Sequence, residues 1–232
     1  MNSNIVTFYI NNNSISGNIF INDKRTLSVN LSKDENKNLL GDISLHDFPI
    51  NIFNVITKPY VNFYKGNISG KLTASGTINN PEIFGQIKLY EGEITIPDYL
   101  SKPISNISGI INANGKKLNV INITGNSAGG LVNGYGDIGL NKENRFDGYH
   151  FTVNSETVPA QFKYSVIDIS GEALVNSFIF EGRPGHYGFI GDIFVDKANI
   201  NISNFSNNAP SVEKPLDQKK IPLFVLLQFT TG

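Results

Sequence analysis

Apolar and polar residues alternate with period two along most of this chain, the spacing of strands that bury one face. Gly17-Asn18-Ile19-Phe20-Ile21, Leu27-Ser28-Val29-Asn30-Leu31, Leu118-Asn119-Val120-Ile121-Asn122-Ile123 and Ile193-Phe194-Val195 carry it. The apolar positions are mostly Ile, Val, Phe and Tyr, which favour pleated backbone. Asn11-Asn12-Asn13, Asn79-Asn80-Pro81, Asn114-Gly115 and Gly182-Arg183-Pro184-Gly185 punctuate the strands as turns. The other face of the strands is largely Asn, Ser, Thr and Lys, so one side is wet and one dry, as antiparallel sheets allow. Helical spacing occurs once, from Ile50 to Ile56 ahead of Pro59, and predicts a short helix near 50–58. Residues 206–220 have little apolar content and read as a flexible loop. Strand pattern resumes over Leu223–Phe229.

A unit recurs within the pattern. Gly41-Asp42-Ile43-Ser44-Leu45 is followed by Ile50 and Ile52. Gly85-Gln86-Ile87-Lys88-Leu89 is followed by Ile94 and Ile96, and Gly191-Asp192-Ile193-Phe194-Val195 by Ile200 and Ile202. All fit G-x-I-x-[LV]-x-x-x-x-I-x-I. Residues an odd step apart lie on opposite faces of a straight strand. The step from Leu89 to Ile94 is odd, so a turn or bulge near Glu91-Gly92 is needed to return both pairs to one side, and a strand–turn–strand unit is expected. The opening glycine suits close backbone approach. The spacing between units varies, which excludes a solenoid of fixed rung.

Composition narrows the function classes. Forty per cent of the residues are hydrophobic and 11% aromatic, enough for a folded chain. A formal net charge of −1 argues against a nucleic-acid partner. There is no cysteine for a disulfide, thiolate site or nucleophile, and there are only three histidines. Gly109 with Gly115-Lys116-Lys117 imitates a phosphate loop, but it has the wrong spacing and lacks the metal-binding hydroxyl; it reads as a hairpin turn at Asn114-Gly115. His46-Asp47 reads as a surface turn, and Gly182–Gly188 as a glycine-rich hairpin rather than an anion nest. Lys116-Lys117 and Lys219-Lys220 read as solvated turns. No catalytic residue, metal or cofactor is expected. The longest apolar run, Ile221–Leu227, is far shorter than the ~20 residues of a spanning helix. With no signal-like start, and a turn signal at the end with no strand after it, the chain is expected to be a fragment of a longer protein.

The segment Gly66-Asn67-Ile68-Ser69-Gly70-Lys71-Leu72-Thr73-Ala74-Ser75-Gly76-Thr77, then Pro81, then Gly85 through Glu91-Gly92-Glu93-Ile94-Thr95-Ile96-Pro97, resembles the repeat of the TamB family, the translocation and assembly module inner-membrane subunits. Gly129-Gly130 through Leu140 continues in the same manner, and residues 137–205 match more loosely. The chain is richer in Asn and Lys than familiar members and lacks their N-terminal anchor. The resemblance implies an all-β fold: a long twisted antiparallel sheet rolled into an open trough, apolar inside, over 1–205, with the start of a further strand at 221–232. It also implies a periplasmic location in a two-membrane bacterium, an inner-membrane anchor in a segment absent from this chain, and an Omp85-class outer-membrane barrel as partner. The implied work is shielding phospholipid acyl chains on the way to the outer membrane, or assembling outer-membrane proteins. The lining would include Ile43, Leu45, Ile87, Leu89, Ile94, Ile96, Ile193, Val195, Ile200 and Ile202. Read without the resemblance, the same residues fit the core of a closed sandwich, and the chain fits a structural or adhesive extracellular β protein; a piece of an outer-membrane barrel would show regularly spaced aromatic girdles, and the Phe and Tyr here have no such rhythm.

Overall fold

A computed structural model describes residues 4–58, 61–97, 99–143, 145–164, 167–202, 221–224 and 227–230. The expected alternation forms β1 (Ile5–Ile10), β2 (Ser14–Ile21), β3 (Lys24–Lys33), β4 (Leu39–Pro49), β5 (Asn62–Thr77), β6 (Asn80–Thr95) and β7 (Ile104–Gly115). There follow β8 (Lys117–Ser127), β9 (Gly130–Leu140), β10 (Phe146–Tyr164), β11 (Ile167–Arg183), β12 (His186–Ile202), β13 (Ile221–Phe224) and β14 (Leu227–Thr230). Each strand pairs antiparallel with the next from β1 to β13, and β14 pairs β12 beside β13. The strand expected over Leu223–Phe229 is present as β13 and β14, which keep one antiparallel register along β12 on either side of residues 225–226, themselves outside the described residues. The loop expected at 206–220 lies outside the described residues.

The fold is all-β: one long, open, trough-like antiparallel sheet, as the alternation and the resemblance imply. It does not close into a barrel. The helix expected near 50–58 is a 3-10 turn, Ile50–Phe53, running into one α-helical turn, Asn54–Thr57. Among the described residues, extensive contact between strands is confined to hydrogen-bonded neighbours. No second layer packs on the sheet among the described residues, so the sandwich reading fails. The accessible surface is 15963 Å², against roughly 10,000 Å² for a compact 25.5 kDa protein. Dense packing is local. Among the described residues Phe48, Ile50 and Ile68 form a buried apolar cluster, with Ile19, Leu27, Leu45, Phe63, Ile87 and Leu89 against it.

The repeated unit differs from expectation in an informative way. β6 and β12 run through their units without a turn, and the correction between faces comes from a bulge. Asp47, Glu91 and Lys197, six residues after Gly41, Gly85 and Gly191, all have left-handed backbone, with φ of 49°, 54° and 52°. The register of the pairing shifts beside each of them. One extra residue in a strand moves everything after it to the other face and sharpens the local twist. Asn106, Asn122 and Ser177 add bulges of the same kind to β7, β8 and β11. In β4 the unit then leaves the sheet. Ile50 turns under into the buried cluster, and Ile52 points out at 44% exposure.

The opening glycines are close-approach positions, as expected. A Cβ on Gly41 would lie 2.0 Å from the Asn30 carbonyl oxygen, and one on Gly85 would lie 2.2 Å from that of Lys71.

Candidate functional site: an uncovered apolar face

Paired residues of an antiparallel sheet share a face, so the register can be followed from strand to strand. Starting at β1, the partners run Val6, Ile19, Leu27, Leu45, Gly70, Ile87, Ile111, Val120, Gly136, Phe151, Phe180 and Phe189 in β12. Every position is apolar or glycine. One residue along each strand, on the opposite face, the partners run Thr7, Asn18, Ser28, Ser44, Lys71, Gln86, Asn112, Asn119, Asp137, His150, Glu181 and Gly188. Every position there is polar, charged or glycine. One residue further, apolar partners return: Phe8, Gly17, Val29, Ile43, Leu72, Gly85, Ala113, Leu118, Ile138, Tyr149 and Gly182. A third apolar line begins Phe48, Ile68, Leu89, Gly109. With eleven steps of about 4.8 Å, the longest row spans roughly 53 Å.

Bulky residues in these rows repeatedly face glycine. Phe8 opposes Gly17, Leu31 opposes Gly41, Leu45 opposes Gly70, and Tyr149 opposes Gly182. A Cβ on Gly17 would sit 2.2 Å from the Phe8 ring, so the glycine leaves room for the side chain across from it. Toward β12 the lining turns aromatic. The Phe178, Phe180 and Phe189 rings pack with centroids 4.8 Å to 6.3 Å apart.

Leu45 and Ile87 lie in the first row, Ile43 in the second and Leu89 in the third. Ile94 follows the Glu91 bulge and pairs with Phe63 and Ile104. Phe63 packs on the same cluster as Leu89, so Ile94 is back on the apolar side. Ile193 and Val195 pair with Val175 and Ala173, two and four residues after Gly191 and in phase with Phe189. Ile200 follows the Lys197 bulge and pairs with Ile169 on that side, at 58% exposure. Ile202 pairs with Ile167 through its backbone, and its side chain lies outside the described residues. Ile96 departs from the pattern. It follows the end of β6, and its carbonyl accepts the N–H groups of Tyr99 and Leu100 in a turn.

That turn belongs to the β6–β7 loop, which reaches the overhanging end of β10. Leu100 bridges to Ala160, and the Gln161 N–H donates to the Tyr99 carbonyl at 2.9 Å.

The polar face is not uniformly polar. Ile110 pairs with Ile121, and Tyr135, Thr152, Ile179 and Ile190 continue in neighbouring strands as a short apolar stripe on that side. A depression of about 450 Å³ lies here, lined in part by Ile121, Asn122, Tyr135, Asp137 and His150. The signal was in the sequence as apolar doublets. Ile110-Ile111, Val120-Ile121, Ile179-Phe180 and Phe189-Ile190 each give one residue to each face.

The remaining candidates are structural. His46-Asp47 is a bulge rather than a turn. The Asp47 N–H donates to Ser69 Oγ at 2.8 Å, Ser69 Oγ lies 3.0 Å from the Tyr90 hydroxyl, and that hydroxyl donates to the Asp47 carboxylate. The Tyr90 hydrogen bond holds the Asp47 carboxyl below its usual range, while burial and then Asp47 push Tyr90 up. Gly115 and Lys116 form the β7–β8 turn, and Lys116 Nζ donates to the Asn141 and Lys142 carbonyls, tying two turns together. Lys117 pairs with Asp137 at 3.1 Å. Pro184-Gly185 turns the β11–β12 hairpin. Lys219-Lys220 lie outside the described residues. Among the described residues no three His, Asp or Glu side chains are placed to hold a metal ion, and no helix is long and apolar enough to cross a membrane.

Comparison of the chain with known protein families, curated proteins and solved structures finds no match.

Proposed function

We propose that this chain is a segment of a periplasm-spanning bridge whose open apolar face shields lipid acyl chains. In this reading an inner-membrane anchor lies in a further segment and an Omp85-class barrel is the outer-membrane partner. The cargo is phospholipid bound for the outer membrane, and the same path serves outer-membrane protein assembly. The reading rests on one observation: apolar rows cross twelve strands, and among the described residues no second layer packs on them beyond the turn at Ile50. A soluble monomer rarely exposes more than a few hundred Å² of contiguous apolar surface without a binding role.

The energetics suit conduction rather than tight capture. Each methylene taken from water is worth about 0.8 kcal/mol, so six in contact with the rows gain about 5 kcal/mol. Successive strands present like surface, so a chain sliding from one to the next keeps its contacts. The head group stays on the open side, where the rows offer no polar partner to hold it.

The test is transfer of a fluorescent phospholipid between vesicles by the purified chain, compared with Ile111→Asp and Asn112→Asp. These residues are neighbours on opposite faces of β7. Loss of transfer only with Ile111→Asp supports the reading. Equal behaviour of the two variants, with both folded, contradicts it.

A further inference from the structure

The face opposite the long apolar rows carries a narrower pattern of its own. Ile110, Ile121, Tyr135, Thr152, Ile179 and Ile190 lie side by side across β7 to β12. Ile121, Tyr135 and Ile190 stand open, at 46%, 53% and 51% exposure, and Thr152 is buried between its neighbours. On one side of this stripe runs the row Asn112, Asn119, Asp137, His150 and Glu181. On the other runs the row Ser108, Thr124, Asn133 and Asn154. Every residue of both rows is polar. Five strand steps make the stripe about 24 Å long, and rows on one face of a strand lie about 7 Å apart. The depression of about 450 Å³ opens where Ile121 and Tyr135 meet Asn122, Asp137 and His150.

We propose that this stripe is a binding track for an extended glycan of β-1,4-linked pyranoses. A pyranose has apolar C–H faces and a rim of hydroxyls. Laid on the stripe, its C–H face meets Ile121 and the open Tyr135 ring, and the hydroxyls at its two edges reach the polar rows on either side. Strands lie about 4.8 Å apart, close to the advance of such a chain per sugar, so each strand meets one ring. Asn side chains both donate and accept, and a carboxylate keeps lone pairs for a hydroxyl while it holds an ion pair. Lys117 at 3.1 Å already holds Asp137 at the rim, and His150 lies 3.6 Å from Glu181. A protein fits less well. A helix is about 10 Å wide and docks through a broad apolar stripe; here it would cover Asp137 and Glu181 along with a single file of apolar side chains. The stripe's footprint, about 24 Å by 7 Å, is also far below the ~800 Å² per side of a stable protein interface, which argues against a second copy of this chain.

The probe is chitohexaose, a soluble β-1,4-linked hexamer of N-acetylglucosamine, titrated into the intact chain and followed by NMR. Maltohexaose, an α-1,4-linked glucose hexamer that coils, is the control. Chitohexaose is expected to bind at about 1 mM or tighter and to shift the amide signals of Ile121, Tyr135, Asp137 and His150, with maltohexaose much weaker. Tyr135→Ala, at an exposed position, removes about 50 Å² of apolar contact and is expected to weaken binding roughly tenfold. Tyr135→Phe keeps the ring and is expected to bind nearly as well as the unaltered chain. The readout involves no lipid and the other face of the sheet, so its failure is separate from failure of the lipid-shielding reading. Absence of shifts at these four residues with chitohexaose overturns the proposal. So does equal binding of the two sugars, or unchanged binding by folded Tyr135→Ala. A basic amphipathic peptide that shifts these signals where chitohexaose does not overturns it in favour of a protein partner.

Discussion

Glu91 is where the account can be made to give two opposite signs from one residue. Its left-handed backbone, φ 54°, returns Ile94 to the apolar side after the odd step from Leu89. An L-residue in that region is strained by about 1–2 kcal/mol. Glycine removes that strain but adds about 0.5–1 kcal/mol of chain entropy lost on folding. The Glu91 side chain is exposed and has little packing to lose. Glu91→Gly is therefore expected to stabilise by about 0.5–1 kcal/mol, a rise in Tm of roughly 2 °C for a chain of this size. Deleting Glu91 keeps the strand but flips its end. Ile94 swings to the polar face, losing about 1.5–3 kcal/mol of burial. Glu93, which pairs with Lys65 at 3.2 Å, swings to the apolar face. An unpaired carboxylate there costs several kcal/mol more. Deletion is expected to destabilise by at least ~3 kcal/mol, or roughly 10 °C. A sheet built of successive strands need not unfold in one step. The assay is therefore amide exchange resolved over β5–β7, with urea unfolding beside it. Destabilisation by Glu91→Gly, or a neutral deletion, would refute the bulge argument.

Further outcomes follow from the same geometry. Gly85→Ala, at φ 132° with a Cβ 2.2 Å from a backbone oxygen, is expected to cost about 3 kcal/mol, from backbone strain and overpacking together. Gly129→Ala, at φ 96° with open space around it, is expected to cost about 1 kcal/mol, and urea midpoints check both. Asp47 is held low in the fold, so its contribution is present above the ordinary carboxylate range and is lost as pH falls through its folded value. Tyr90 is held high, so its contribution is present below the ordinary phenol range and is lost as pH rises through its folded value. Tyr90→Phe is expected to return the Asp47 titration toward the ordinary carboxylate value, read by NMR of the carboxyl carbon. Phe180→Ala breaks the three-ring cluster on a half-open face and is expected to cost about 1–2 kcal/mol, less than a fully buried phenylalanine, by urea unfolding.

Most of the fold was legible in the sequence because a sheet needs only period-two alternation and turns, and both are local. The recurring Gly-x-Ile unit was visible, and so was the need for a correction between Leu89 and Ile94. The form of that correction was not. Asp47, Glu91 and Lys197 share no side-chain chemistry, and their common feature is a backbone angle, so the spacing alone favours a turn where the strands use a bulge. The stripe through Ile121, Tyr135 and Ile190 was missed because a doublet such as Val120-Ile121 reads as a strong strand rather than as one with two apolar faces. Ile96 and Ile52 share the spacing of their relatives but fall where the chain leaves the sheet, which spacing alone does not reveal. Whether the alternating face was a closed core or an open one depended on a second layer, and no run of residues announces the lack of one.

The most direct test places a photoreactive residue at Ile87, in the long apolar row, and separately at Gln86, its neighbour in the polar row. Each variant is expressed in cells. The account predicts phospholipid crosslinked at Ile87 and none at Gln86. Lipid at neither position, with both proteins folded, would contradict a lipid-shielding face here, and lipid at both would contradict the assignment of its two sides.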